Sequence, residues 1–231
     1  MYPCAGKDFV EPFTTFADQF DTALFVDIGY QFNQFETPKF DGWRAVEGTL
    51  SVEGPPTDRV RRVVKHGHSF REVVPAWWRC RYQKIESRKT VELVLRRGFG
   101  QYALRELNTG QLGMFLHRGD SSGEGGSGTQ FFANHRMDHE PLSMLLDVIK
   151  TKLSVPAWIG SDGSNTPIRE LTGAAAGTEG HSEFSRHGLL RRRAQTLPGR
   201  LNRATVLWQV TPLQSLISTG QPGTCPSAGG H

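Results

Sequence analysis

Residues 22–27, Thr-Ala-Leu-Phe-Val-Asp, are a compact apolar run closed by an acid. A run of this kind fits a strand buried on both faces, which is how strands sit in a parallel sheet covered by helices. Asp27 then stands at the strand's C-terminal edge. Three further segments have a similar apolar character: Leu112–His117, Ala157–Gly160 and Thr205–Val210. Ala76–Gln83 and Thr90–Arg96 instead alternate aromatic and β-branched residues with Arg and Glu. That alternation predicts strands with one wet face, joined by a hairpin through Glu86-Ser87-Arg88. Trp43–Val52 reads as one more strand, stopped by Gly54-Pro55-Pro56. Arg59–Val64, basic and apolar together, has no clear type.

The helical signals are fewer. The opening Met1-Tyr2-Pro3-Cys4-Ala5-Gly6 predicts a short strand entering a turn, with Gly6 suited to a positive φ and Asp8 to capping the next segment. Pro12 limits any long helix there. Pro141, followed by Leu142, Leu145, Leu146 and Ile149, predicts an amphipathic helix that packs on the sheet.

The chain has 231 residues, enough to bury a sizeable core, and its 5 Trp and 14 Phe supply surfaces that a disordered chain lacks. We expect a single domain over residues 1–215. Within it, residues 173–204 pass from Gly, Ala and Thr into an Arg-rich stretch and are expected to be a flexible insertion or loop, and 216–231 to be a disordered tail. No apolar run reaches the roughly 20 residues that span a bilayer, and the first residues lack the layout of a signal peptide. The expected location is the cytoplasm, with no membrane partner. Cys4, Cys80 and Cys225 are scattered and lack metal-ligand spacing, so free thiols are expected. His66-x-His68 and His135-x-x-x-His139 have no nearby cysteine to complete a tetrahedral set, and no metal is expected.

Several polar groups follow predicted strands: Gly6 with Asp8, then Asp27, Asp120 with Glu124, and Asp162 with Asn165. In open α/β sheets ligands settle beyond the carboxyl ends of the strands. If these strands run parallel, the groups share one rim. The segment from His117 to Gly128 is the most unusual, with glycines whose N–H groups can form an anion-binding nest and carboxylates able to hold a ribose or a metal ion. It has neither the Gly-Lys-Ser/Thr ending of a P-loop nor a G-x-G-x-x-G spacing, and no G-x-S-x-G elbow occurs in the chain. The net charge of +4 is mild but clustered, at Arg59, Arg61, Arg62 and Lys65 and again at Arg191, Arg192 and Arg193. Such clusters suit an anionic partner such as nucleic acid, although a solvated basic face has the same composition.

Tyr2-Pro3-Cys4-Ala5-Gly6-Lys7-Asp8, with Leu24-Phe25-Val26-Asp27 about twenty residues on, resembles the first two strands of class I S-adenosylmethionine-dependent methyltransferases. Together with His117-Arg118-Gly119-Asp120-Ser121 and Ser161-Asp162-Gly163-Ser164-Asn165, these residues resemble a protein family of unassigned activity with a methyltransferase-like, Rossmann-like core. The resemblance implies an α/β fold: a mixed or mostly parallel, strand-rich sheet with few flanking helices. It implies S-adenosylmethionine as cofactor, with Gly6 against its amino-acid moiety, Asp27 on its ribose hydroxyls, and Asp120 near the adenine or the reacting group. Asp8, Glu124 and Asp162 complete the expected cofactor-binding set. The chain has one turn glycine in place of a G-x-G run and no Asn/Asp-Pro-Pro-aromatic motif, so the likeness names no methyl acceptor.

Two function classes stay open from the residues. One is a Rossmann-like domain that binds a nucleoside-containing ligand, with or without methyl transfer. The other is a non-catalytic module that binds nucleic acid or protein through its basic patches.

Overall fold

The computed structural model describes residues 1–3, 5–33, 35–55, 60–65, 68–117, 148–161, 188–197 and 205–212. β1 (Tyr2–Pro3) enters a turn in which Gly6 adopts φ +50°. The chain then forms helix α1 (Val10–Phe16), a 3-10 turn (Ala17–Gln19) and β2 (Thr22–Asp27). Pro12 lies in the first turn of α1, which stays short, as the sequence predicts. Asp8 does not cap that helix. Phe9 holds the cap position without a side-chain bond, and Asp8 accepts a hydrogen bond of 2.8 Å from the Tyr2 hydroxyl.

β2 lies between parallel partners, β1 on one side and β8 (Thr90–Arg97) on the other. β8 in turn pairs antiparallel with β7 (Ala76–Lys84) through the expected hairpin. The stretch 43–52 is not one strand. It forms β3 (Trp43–Ala45) and β4 (Ser51–Glu53), both antiparallel to β7, because a turn at Val46–Thr49 with Gly48 at φ +74° divides it. β8 also differs from expectation: Val91, Leu93, Val94, Leu95, Arg96 and Arg97 are all buried. A strand flanked on both sides and covered on both faces has no wet side. Between β4 and β7 the chain leaves as a separate two-stranded ribbon, β5 (Val60–Lys65) and β6 (His68–Val73).

The second half begins with helix α2 (Gly100–Glu106), for which the sequence offered only the glycines around Phe99, and continues into β9 (Leu112–His117). Of the expected 141–149 helix, residues 148–152 are helical and 141–147 lie outside the described residues. β10 (Leu153–Ser161) pairs parallel to β9 and antiparallel to β12 (Thr205–Pro212). The Arg-rich part of the expected 173–204 loop is a strand, β11 (Leu189–Leu197), paired antiparallel with β12. β11 is an edge strand of its sheet, so only one side of its backbone is paired.

The two sheets meet at the chain's first residues. The Met1 nitrogen donates to the Met114 carbonyl at 2.6 Å, and the Leu116 nitrogen donates to the Met1 carbonyl at 3.0 Å. One residue bonding to two that flank its neighbour is the pattern of a parallel pair. The strand order therefore runs β7-β8-β2-β1-β9-β10-β12-β11, with β3 and β4 beyond β7. The sheet is mixed: β1, β2, β8, β9 and β10 run one way, β7 and β12 the other.

An aromatic core fills the β2 side, where Phe13 stacks on Phe40 at 4.2 Å between ring centroids and meets Trp43 and Tyr82. A second cluster, including Leu104, Phe115, Ile159 and Trp208, fills the β9–β12 side. No helix among the described residues is long and apolar enough to cross a membrane.

Candidate functional site

Because β1, β2, β8, β9 and β10 are parallel, their C-terminal ends lie along one edge. β1 leads there to Gly6, β2 to Asp27, β8 to Arg97, β9 to His117 and β10 to Ser161. The order reverses between β1 and β9: strands later in the chain lie outward from that pair on both sides. Such a reversal opens a crevice at the carboxyl ends, where open α/β sheets take their ligands.

Asp27 is fixed at this point from three sides. Its Oδ2 accepts from the Gly6 nitrogen at 2.9 Å and its Oδ1 from the Gly29 nitrogen at 2.6 Å. Its carbonyl accepts from the Gly98 nitrogen at 3.2 Å. The carboxylate thus bridges the turn after β1 and the turn after β2, and the backbone bond adds the end of β8. Gly6 needs its positive φ to aim its N–H at Oδ2, and a Cβ on Gly29 would stand 3.0 Å from Oδ1. Charge-assisted bonds from backbone N–H groups hold a carboxylate in one orientation.

Arg97, in register with Asp27 on the neighbouring strand, is wholly buried. Its Nε donates to the Val74 carbonyl at 2.7 Å, one Nη to the Pro55 carbonyl at 2.5 Å, and the other to the Tyr30 carbonyl at 3.4 Å. Backbone carbonyls of three separate segments meet on one guanidinium at the site's edge. Sequence reasoning did not single it out. The available signal was an Arg-Arg pair ending an apolar run just before Gly98-Phe99-Gly100. Its neighbour Arg96 pairs bidentately with Glu106 of α2, at 2.5 and 2.7 Å, beneath the ring of Trp77.

Other titratable groups in the core serve packing. Burial raises the Cys80 thiol pKa, a shift that a hydrogen bond from Thr49 partly opposes. Burial also raises the Tyr82 phenol, whose hydroxyl donates to the Pro38 carbonyl at 2.8 Å. Neither group is set up as a nucleophile or base at neutral pH.

The structure therefore brings together Gly6 and Asp27 of the expected set, and places Asp8 nearby on the Tyr2 hydroxyl. Asp120, Glu124, Asp162 and Asn165 lie outside the described residues, as does Arg59. Arg61 and Arg62 belong to β5, next to the rim, whereas Arg191, Arg192 and Arg193 belong to β11 at the far edge of the sheet. β11 bulges at Arg192, since Arg191 and Arg193 face consecutive residues of β12. Among the described residues no three His, Cys, Asp or Glu side chains gather as a metal site would require.

No family model matches the chain, and no curated protein matches it. Among solved structures, a variant of the 16S rRNA (adenine(1408)-N(1))-methyltransferase from Catenulisporales acidiphilia is similar at 12% identity and a TM-score of 0.30. The match covers 52% of this chain and 59% of that one, so this chain spans about three-fifths of that protein's length. Any function must therefore be argued from the geometry of this chain.

A cavity of about 470 Å³ lies elsewhere, against Phe16, Phe20, Leu24, Leu112, Met114 and Ser154. It runs along β2 as far as Phe25 and along β9 as far as Leu116, beside Met1 and Tyr2, and Asp27 does not line it. Its lining includes neither Gly6 nor any residue after Phe25 on β2.

Proposed function

We propose that the crevice at the β1/β9 reversal binds a nucleoside-containing ligand of the S-adenosylmethionine type, in a Rossmann-like, methyltransferase-like core. In this reading residues 1–215 act as one domain. The observation that carries it is Asp27: a carboxylate that follows the buried Phe25 and Val26 at the end of a parallel strand, beside the strand-order reversal, pinned by two backbone N–H groups. A carboxylate offers about four acceptor sites, and one held rigid is suited to the paired hydroxyls of a ribose at little entropic cost. Gly6 lets the backbone approach the polar remainder of the ligand closely. Asp8 and, from their places after β9 and β10 in sequence, Asp120, Glu124 and Asp162 complete the proposed cofactor-binding set.

The described residues fit the group at one end, since a fixed acid and a glycine turn are what a ribose and an amino-acid tail need. When bound, S-adenosylmethionine supplies an electrophilic methyl group. The chain's part is to hold donor and acceptor in line and to exclude water, which can supply much of a transfer rate without a strong base.

Calorimetric titration with S-adenosylmethionine and S-adenosylhomocysteine tests the proposal. The wild-type chain is expected to show saturable binding, weakened by roughly 10- to 100-fold in Asp27→Ala and Asp27→Asn, as loss of a charge-assisted pair implies. Circular dichroism checks that both variants stay folded. Absence of heat and of any thermal shift in the wild-type chain overturns the reading.

A further inference from the structure

The β5–β6 ribbon pairs with no other strand among the described residues, yet its root is built into the site. The chain enters it after Pro55 and returns at Val74, and the carbonyls of both residues accept from Arg97. That guanidinium ends β8 in register with Asp27. The two legs also cross closely. Gly54 has φ +85°, and a Cβ there would come within 2.7 Å of the Pro75 carbonyl oxygen. The ribbon therefore rises from the ligand rim, at a fixed point.

Its charge is one-sided. Residues 60–73 contain Arg61, Arg62, Lys65 and Arg71 against Glu72, with His68 at the start of β6. The register sets Arg62 directly across from Arg71 and Lys65 across from His68, while Glu72 answers Arg61. The register therefore places two arginines, Arg62 and Arg71, at one position along the ribbon. Six residues of antiparallel strand extend about 20 Å, the length of several successive phosphates rather than of one small anion. A two-stranded ribbon is also one of the few elements that fit a nucleic-acid groove.

We infer that the β5–β6 ribbon, rooted through Arg97 on the rim that carries Asp27, is the arm that holds a nucleic-acid substrate beside the bound ligand. The inference rests on the proposed pocket for its second half: the ribbon supplies the acceptor, the pocket the methyl donor. The basic run of β11, at the far edge of the sheet, has no part in it.

The test uses fluorescence anisotropy of the full chain with a fluorescein-labelled single-stranded RNA of about 20 nucleotides and a duplex DNA of the same sequence. Calorimetry with S-adenosylmethionine runs in parallel. Wild-type binding to at least one probe is expected to fall steeply with salt. Arg62→Glu with Arg71→Glu is expected to weaken it by about tenfold or more, with S-adenosylmethionine affinity unchanged. Arg191→Glu with Arg193→Glu is expected to leave nucleic-acid binding unchanged. Should the ribbon reversal fail to fold, the neutral pair Arg62→Gln with Arg71→Gln replaces it, with an expected loss of about three- to tenfold. The inference is overturned if neither probe binds, if the ribbon variants bind like the wild type, if the β11 variant is the one that loses binding, or if labelled poly-glutamate binds more tightly than either probe. Ribbon-dependent binding in a chain that takes no S-adenosylmethionine supports the arm and overturns the pocket.

Discussion

Phe13 has no exposed surface and touches three aromatic rings, those of Phe40, Trp43 and Tyr82. Removing a ring from such a site forfeits its transfer energy and leaves a cavity that its neighbours cannot close. Phe13→Ala is expected to lower stability by about 3–5 kcal/mol, read by urea denaturation. The same scale separates what could be seen in the sequence of the site from what could not. Asp27 was legible because an acid closing an apolar run has few places to be other than a strand end. Arg97 was not, since its burial depends on carbonyls at Tyr30, Pro55 and Val74, all distant in the chain. Asp8 illustrates the opposite outcome: its position suited a helix cap, but the Tyr2 hydroxyl across the turn took it.

Elements with strong internal patterning formed where expected, among them β2, β7, β8, β9 and β12. α2 escaped notice because it has only seven residues, starts at a glycine, and has at its N-cap position Phe99, which makes no side-chain bond. β11 escaped for a different reason: three consecutive arginines resemble a solvated loop until an adjacent strand supplies the ladder. Neighbouring strands also impose the one residue choice that matters most in β10. A Cβ at Gly160 would collide with the Leu207 side chain of β12 and come within 2.8 Å of Leu116 of β9. Both leucines close over the bare backbone. Gly160→Val is therefore expected to destabilise the fold by about 1–3 kcal/mol through overpacking, measured as a lowered thermal midpoint.

At the scale of the whole molecule, Arg97 joins the end of β8 to the chain after β2 and to both legs of the ribbon. Arg97→Met keeps much of the volume but leaves three buried or half-buried carbonyls without that donor. A loss of roughly 2–5 kcal/mol is expected by chemical denaturation. Amide hydrogen exchange should rise first around residues 54–55 and 74–75, where the legs are held. If exchange rose evenly over the sheet instead, Arg97 would be a general core residue and not the ribbon's anchor. The same bond pattern ties the proposed site to the fold, because the strand that ends in Asp27 and the root of the ribbon share one neighbour.

The sequence by itself determined the α/β character, the positions of β2, β7, β8, β9 and β12, the glycine turn after β1 and the acid closing β2. Each of these follows from local chemistry: apolar runs that must be buried, and glycines and prolines that permit or forbid particular backbone angles. Only the tertiary structure decided that β1 bridges two sets of strands, that β8 is buried on both faces, that Arg191–Arg193 lie on a paired strand, and that the ribbon springs from the rim. Those outcomes depend on hydrogen bonds between residues tens of positions apart, whose pairing no local pattern encodes.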